Sequence, residues 1–99
     1  MSSRNVIFAE ISINPIGSGT TSIGKQIDEA LKAIKGVQGL KYEVNSMGTL
    51  LESDKLETIL EAARVAHEAV LRLGEKRVET TLKIDDRRDK SRTLTRSSS

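Results

Sequence analysis

The sequence predicts an α+β sandwich, in which a four-stranded antiparallel sheet carries two helices on one face. Four segments alternate apolar and polar residues, as half-buried strands do. Two longer segments repeat apolar residues at helical spacing. The order along the chain is strand, helix, strand, strand, helix, strand. Two split βαβ units in this order predict one sheet with both helices on the same side.

The first strand is predicted over residues 6–13, where every second residue is apolar. Pro15 cannot donate a hydrogen bond to a sheet ladder, so we expect the strand to end just before it. A glycine-rich turn follows at residues 17–19, and Ser22 can cap the next helix. Free N–H groups beside a helix N-terminus can bind polar or anionic groups, although a flexible connection explains the same residues.

The first helix is predicted over residues 22–35, with an apolar stripe that includes Ile27 and Ile34 on one side and polar residues, including Gln26, on the other. The second helix is expected to begin at Ser53 or Asp54. Asp54 and Glu57 have the spacing of a capping box, which favours this start.

The remaining strands are predicted over residues 40–45, 49–52 and 77–84, and the first two of these form a hairpin. This arrangement is the ferredoxin-like sandwich. The spacing leaves the phase of the hairpin open. The residues that face the uncovered side of the sheet are either Thr49 and Leu51, or Leu50 and Glu52.

The composition bounds the classes of function. At 99 residues the chain is expected to form one domain over residues 1–90, followed by a polar, mobile tail at residues 91–99. A net charge of only +2, with one Tyr, one Phe and no Trp, argues against a nucleic-acid partner. The absence of cysteine excludes disulfides and thiolate metal sites. No segment is apolar over the length of a membrane span or a signal peptide, so we expect a cytoplasmic protein without a membrane partner.

The uncovered face of the sheet is predicted to carry acids, lysines and hydroxyl groups. Such a face can be solvated surface, a subunit interface or the wall of a small-molecule site. Glu43 and Glu52 are of most interest, because a carboxylate accepts hydrogen bonds from an amino-pyrimidine and attracts a cationic ring. Pairing with a surface base such as Lys41 explains the same acids.

The sequence offers little that predicts catalysis. His67 is the single histidine and lies on the apolar stripe of the second helix, where a buried histidine with one hydrogen bond is the simpler explanation. Neither a nucleophile elbow nor a Walker A motif is present. A common zinc site would need more histidine or cysteine ligands. We therefore expect no catalytic residues, no metal site and no cofactor.

Several short segments occur in a fixed order between residues 6 and 90. They are Glu10-Ile11-Ser12, Asn14-Pro15-Ile16-Gly17, Thr21-Ser22-Ile23, Leu40-Lys41-Tyr42-Glu43, Met47-Gly48-Thr49 with Glu52, Ala66-His67-Glu68-Ala69, Arg77-Val78 and Lys83-Ile84-Asp85-Asp86-Arg87. In this order and spacing they resemble the small thiamine-binding protein family, which is related to proteins that bind thiamine or its hydroxymethylpyrimidine moiety. The polar tail after Lys90 departs from the pattern of that family.

The resemblance implies a ferredoxin-like protomer that assembles through its sheet into dimers, which often pair into tetramers. It also implies a ligand site near the subunit boundaries, and binding rather than catalysis. We therefore expect a non-enzymatic homo-oligomer that binds thiamine or a related pyrimidine. The alternative is a structural or regulatory oligomer that senses another metabolite. Carried over onto this chain, the implied ligand-binding residues are Ser12, Asn14, Ser22, Thr49 and Glu52, with Glu43 as a further candidate.

Overall fold

The computed structural model describes residues 6–16, 23–45 and 48–88. Its four strands form one sheet in the order β2-β3-β1-β4, and all neighbouring strands are antiparallel. The predicted ferredoxin-like α+β fold is thereby confirmed. The elements are β1 (Ile7–Pro15), α1 (Ile23–Lys35), β2 (Lys41–Asn45), β3 (Gly48–Ser53), α2 (Leu56–Leu71) and β4 (Val78–Asp85).

The core lies between one face of the sheet and the two helices. α2 packs on β1, β3 and β4, and α1 packs against α2. Ala62 and Ala66 are fully buried, and their small side chains let the backbone of α2 come close to the sheet. Within the described ranges, no helix is long and apolar enough to cross a membrane. The largest fully buried side chains are Ile7, Ile34, Leu51, Ile59 and Val70.

β1 continues to Pro15, two residues beyond the predicted strand. The N–H of Ile16 donates to the carbonyl of Arg77 at 2.9 Å, on the β4 side of the strand. Backbone groups alternate between the two sides of a strand, so the Pro15 nitrogen faces away from β4. The proline therefore removes no hydrogen bond from the β1–β4 ladder, and the strand can include it.

The second helix begins at Leu56, with Lys55 as its N-cap residue and no capping hydrogen bond from the Lys55 side chain. Ser53 is instead the buried last residue of β3, and its hydroxyl oxygen accepts a hydrogen bond from the Lys55 N–H at 3.2 Å. The predicted start at Ser53 or Asp54 is wrong, because Ser53 is the last residue of β3 and the N-cap position falls on Lys55, one residue after Asp54.

The strand register resolves the phase of the hairpin. Thr49 lies opposite Ile11, whose side chain is buried in the core, so Thr49 is on the helix side of the sheet. Leu50 lies opposite Glu10 on the uncovered face. Glu52 is two residues further along β3 and shares that face with Leu50.

Candidate ligand-binding site

A cavity of about 190 Å³ lies on the helix side of the sheet, between α1 and one end of the sheet. It is bordered by the second half of β1, by α1 and by the β2–β3 hairpin. Val70 of α2 borders it as well, and this side chain belongs to the core. The cavity therefore lies next to the packed interior and is framed by regular elements rather than by loops alone.

The walls of this cavity are mainly aliphatic and carry no charge. Ile11, Leu31 and Ile34 are typical of the lining, and the polar contributions include Asn14 and Thr49. None of the described residues that border the cavity has an ionisable side chain. An apolar pocket with a few polar groups suits a neutral ring whose orientation is fixed by hydrogen bonds.

Gly48 forms one edge of the cavity and fits there because it has no side chain. Its φ is +149°, and a Cβ at this position would lie 2.7 Å from the carbonyl oxygen of Ile11. The Gly48 N–H donates to the side-chain oxygen of Asn45 at 3.0 Å, across the hairpin turn. The close approach of β3 to β1 at this end of the sheet therefore depends on a glycine.

Gln26 is the most deeply buried polar side chain at the cavity, with 7% of its surface exposed. Its Nε2 donates to the Glu75 carboxylate at 2.6 Å. Its Oε1 is also buried, and it has no hydrogen-bond partner within residues 6–16, 23–45 and 48–88. Buried polar atoms are nearly always satisfied in folded proteins, so this oxygen calls for an explanation.

Three of the six predicted ligand-binding residues border the cavity: Ser12, Asn14 and Thr49. Ser12 and Asn14 are two residues apart on β1, and the Asn14 amide donates to the Ser12 hydroxyl at 3.3 Å. Ser12 lies opposite Thr81 and follows buried Ile11, so these two residues border the cavity but belong to the uncovered face of the sheet. Thr49 is half-buried on the helix side of the sheet. Ser22, a fourth predicted residue, lies outside the described residues.

The remaining two predicted residues, Glu43 and Glu52, lie on the uncovered face of the sheet. They border a more open depression of about 460 Å³, together with Phe8, Lys41 and Leu50. One carboxylate oxygen of Glu52 is buried and has no hydrogen-bond partner in the part of the chain that the structure describes. The sheet itself therefore separates these two acids from the cavity beneath α1.

His67 serves the packing between α2 and β4. Its Nδ1 lies 2.6 Å from the Thr80 hydroxyl oxygen, and the ring is half-buried. Among the described residues, no group of three or more His, Asp or Glu side chains could hold a metal ion. The geometry around His67 thus matches a half-buried histidine that is hydrogen-bonded to a neighbouring strand.

Comparison with known proteins assigns the chain to a family. The sequence profile described as thiamine-binding protein matches residues 9–98. The chain belongs to the thiamine-binding protein family. It is 47% identical over 89 residues to a UPF0045 protein of Methanothermobacter thermautotrophicus, which covers 90% of this chain and 89% of the relative.

A second relative is similar to this chain in both sequence and fold. The UPF0045 protein MJ1052 of Methanocaldococcus jannaschii is 44% identical over 90 residues, which cover 91% of this chain and 86% of the relative. The crystal structure of the hypothetical protein MJ1052 superposes with a TM-score of 0.79 at 42% identity, covering 91% of this chain and 89% of that one. The resemblance found in the sequence motifs is therefore confirmed.

Sequence reasoning missed Gln26 in this member of the thiamine-binding protein family. Gln26 was assigned to the polar side of α1 and Ile27 to the apolar side, whereas Gln26 is buried and 45% of Ile27 is exposed. A signal was present in the spacing. Gln26, Ala30 and Ile34 are four residues apart and share one helix face, and the latter two are buried as well.

Proposed function

We propose that this protein binds thiamine or a related amino-pyrimidine without catalysing a reaction, and that it does so as a homo-oligomer. The observation that carries the proposal is the uncharged, mainly aliphatic cavity beneath α1, in a chain that belongs to a family described by thiamine binding. Three residues implied by the family resemblance border this cavity.

The size and polarity of the cavity favour the pyrimidine half of thiamine. Its volume of about 190 Å³ is smaller than the roughly 300–1,000 Å³ of sites that enclose drug-sized ligands, so it suits one small ring. The thiazolium ring carries a fixed positive charge, and the described lining offers no carboxylate to balance it. In this proposal the pyrimidine ring occupies the cavity, and the charged part of the ligand lies outside it.

The homo-oligomer forms through the uncovered face of the sheet. Leu50 is 37% exposed on this face, and the same row of the sheet carries Glu43 on β2 and Lys83 on β4. A two-fold axis parallel to the strands brings β2 of one copy over β4 of the other. Glu43 then lies opposite Lys83 of a second copy, with Leu50 closer to the axis. Pairing of such dimers into tetramers stays a prediction.

The predicted ligand-binding residues divide their roles between the two faces. Thr49 orients the ring from the helix side of the sheet, whereas Ser12 and Asn14 border the same stretch of β1 from the uncovered face. Glu43 and Glu52 act at the boundary between copies, where burial by a second sheet strengthens their interactions with cations. The alternative function is an oligomer that senses a different metabolite. It predicts that neither thiamine nor hydroxymethylpyrimidine binds in this cavity.

Isothermal titration calorimetry with thiamine and with hydroxymethylpyrimidine tests the proposal. We expect both ligands to bind, because both present the amino-pyrimidine.

Thr49→Val is expected to weaken binding about fivefold to tenfold, which corresponds to the loss of one ligand hydrogen bond. Thr81→Val is the matched control, since Thr81 is exposed on β4, on the opposite face of the sheet. Wild-type protein that shows neither heat nor a thermal shift with either ligand would refute the proposal.

A further inference from the structure

Gln26 combines three features that its place in the fold does not otherwise explain. It borders the cavity, it is more than nine-tenths buried, and its Oε1 has no partner among the described residues. Glutamine is seldom fully buried unless its polar atoms are satisfied. A ligand in the cavity that carries an N–H group would supply the hydrogen bond that this oxygen lacks.

The orientation of the Gln26 amide is set by Glu75. A carboxylate only accepts hydrogen bonds, so the amide must turn its NH₂ group towards Glu75, and the two atoms are 2.6 Å apart. The carbonyl oxygen is then held on the other side of the amide. Gln26 comes from α1 and Glu75 from the segment between α2 and β4, so the contact ties the amide to a part of the chain outside the cavity lining.

We infer that Gln26 is a specificity-determining residue of the cavity, whose carbonyl oxygen accepts a hydrogen bond from an exocyclic amino group of the ligand. Glu75 is the positioning residue that fixes the direction of the amide. This inference rests on the proposed function and narrows it, because it selects a neutral heterocycle with an amino group over one with a carbonyl oxygen at the same place. Two opposed carbonyl oxygens would repel each other and leave the Gln26 acceptor unsatisfied.

A pair of ligands that differ in one group tests the assignment. Oxythiamine has a carbonyl oxygen in place of the pyrimidine amino group of thiamine. We expect wild-type protein to bind thiamine at least about tenfold more tightly than oxythiamine, since a site built around a hydrogen bond rejects an analogue that cannot make it. In Gln26→Met, which keeps the length of the side chain, this ratio is expected to fall to about two or less.

Two further variants separate positioning from folding. Glu75→Gln keeps a partner for Gln26 but can donate as well as accept, so the Gln26 amide is free to reverse, and the ratio is expected to fall part of the way. Gln38→Met is the matched control, because Gln38 is the other glutamine of the chain and is exposed in the loop after α1. A purely structural role for Gln26 would lower the affinities for both ligands equally and leave their ratio unchanged.

The possible results distinguish the role of Gln26 from thiamine binding itself. A ratio near one in wild-type protein that binds thiamine, or an unchanged ratio in Gln26→Met, would overturn the role of Gln26 and leave thiamine binding intact. Wild-type protein that binds neither thiamine nor oxythiamine would overturn both. A ratio that falls in Gln26→Met and Glu75→Gln but not in Gln38→Met supports the assignment.

Discussion

Gly48 shows how one backbone position can determine the edge of a cavity. Its φ of +149° is unfavourable for any residue with a Cβ, and the space for a Cβ is already taken by the Ile11 carbonyl oxygen at 2.7 Å. A larger residue would push the end of β3 away from β1. Both the edge of the cavity and the strand pairing at this end of the sheet therefore require a residue without a Cβ at position 48.

We expect Gly48→Ala to lower the free energy of unfolding by roughly 1–3 kcal/mol, because it adds both backbone strain and a contact with a backbone atom that cannot move aside. Urea unfolding followed by circular dichroism measures the change. Gly24→Ala is the control. Gly24 lies in α1 with nothing within 4 Å of an added Cβ, so alanine there should leave stability unchanged or raise it. Equal stability of Gly48→Ala and wild-type protein would contradict the structure of this turn.

At the scale of single residues, the sequence predicted the cavity only in part. Thr49 was implied by the family resemblance, and the register puts it at the cavity. Gln26 was missed because a polar residue in an amphipathic helix is assigned to the solvent side by default. Its burial depends on Glu75, which is 49 residues away in the chain, and no local pattern predicts a contact of that range.

At the scale of elements, the buried face of α1 is displaced towards Gln26 from the apolar stripe that the sequence predicts. Ile34 is 2% exposed and belongs to the core, whereas 45% of Ile27 is exposed although it borders the cavity. The two isoleucines therefore have separate roles on the same helix. One fixes α1 against the core, and the other forms part of the wall of the cavity.

We expect Ile34→Ala to lower the free energy of unfolding by about 2–5 kcal/mol, as buried isoleucine-to-alanine changes do. Ile27→Ala is the matched substitution at an exposed position of the same helix. It should lower the free energy of unfolding by less than about 1 kcal/mol, since much of the Ile27 side chain is already in water. Denaturant unfolding gives both values. Because Ile27 borders the cavity, Ile27→Ala should reduce the free energy of thiamine binding by more than it reduces the free energy of unfolding. Similar stability losses in the two variants would show that α1 packs in the orientation predicted from its stripe.

On the outer face of α2, the ion pairs follow from the spacing of charged residues along the helix alone. The Arg64 guanidinium donates hydrogen bonds to Glu61 at 2.6 and 3.0 Å and to Glu68 at 2.9 Å. Hydrogen bonding and the nearby positive charge of Arg64 lower the pKa of Glu61. This stabilisation is present above the ordinary pKa of a glutamate and is lost as the pH falls through the lowered value. Both groups are exposed, so solvent and salt screen most of it.

Most element boundaries could be predicted from the sequence, because each depends on local periodicity or on a glycine. The exceptions depend on partners elsewhere in the chain. β1 includes Pro15 because β4 is paired on the side of the strand where proline loses nothing. α2 does not begin at Ser53 because that residue is buried as part of β3. Both cases show a tertiary contact overriding a local signal.

At the scale of the whole molecule, the sheet separates two sides of different character. The helix side holds the cavity, and the uncovered side carries exposed Leu50 together with Glu43, Glu52 and Lys83. A chain of 99 residues buries a limited core of its own, so covering a sheet face with a second copy would add stability. Ligand binding and association would then use opposite faces of the same four strands and could be changed independently.

Leu50→Glu is expected to convert the homo-oligomer into smaller species, because it puts a charge at the centre of the proposed interface and adds to the acids already on that face. Multi-angle light scattering at several protein concentrations measures the change. Leu60→Glu is the matched control, since 48% of Leu60 is exposed on α2, away from the sheet.

The charge pair proposed between copies adds a second test of the interface. Glu43→Lys and Lys83→Glu should each weaken association, and the double variant should restore it, because the two-fold axis places these residues opposite each other. A wild-type monomer at high concentration, or a double variant no better associated than either single one, would contradict this arrangement.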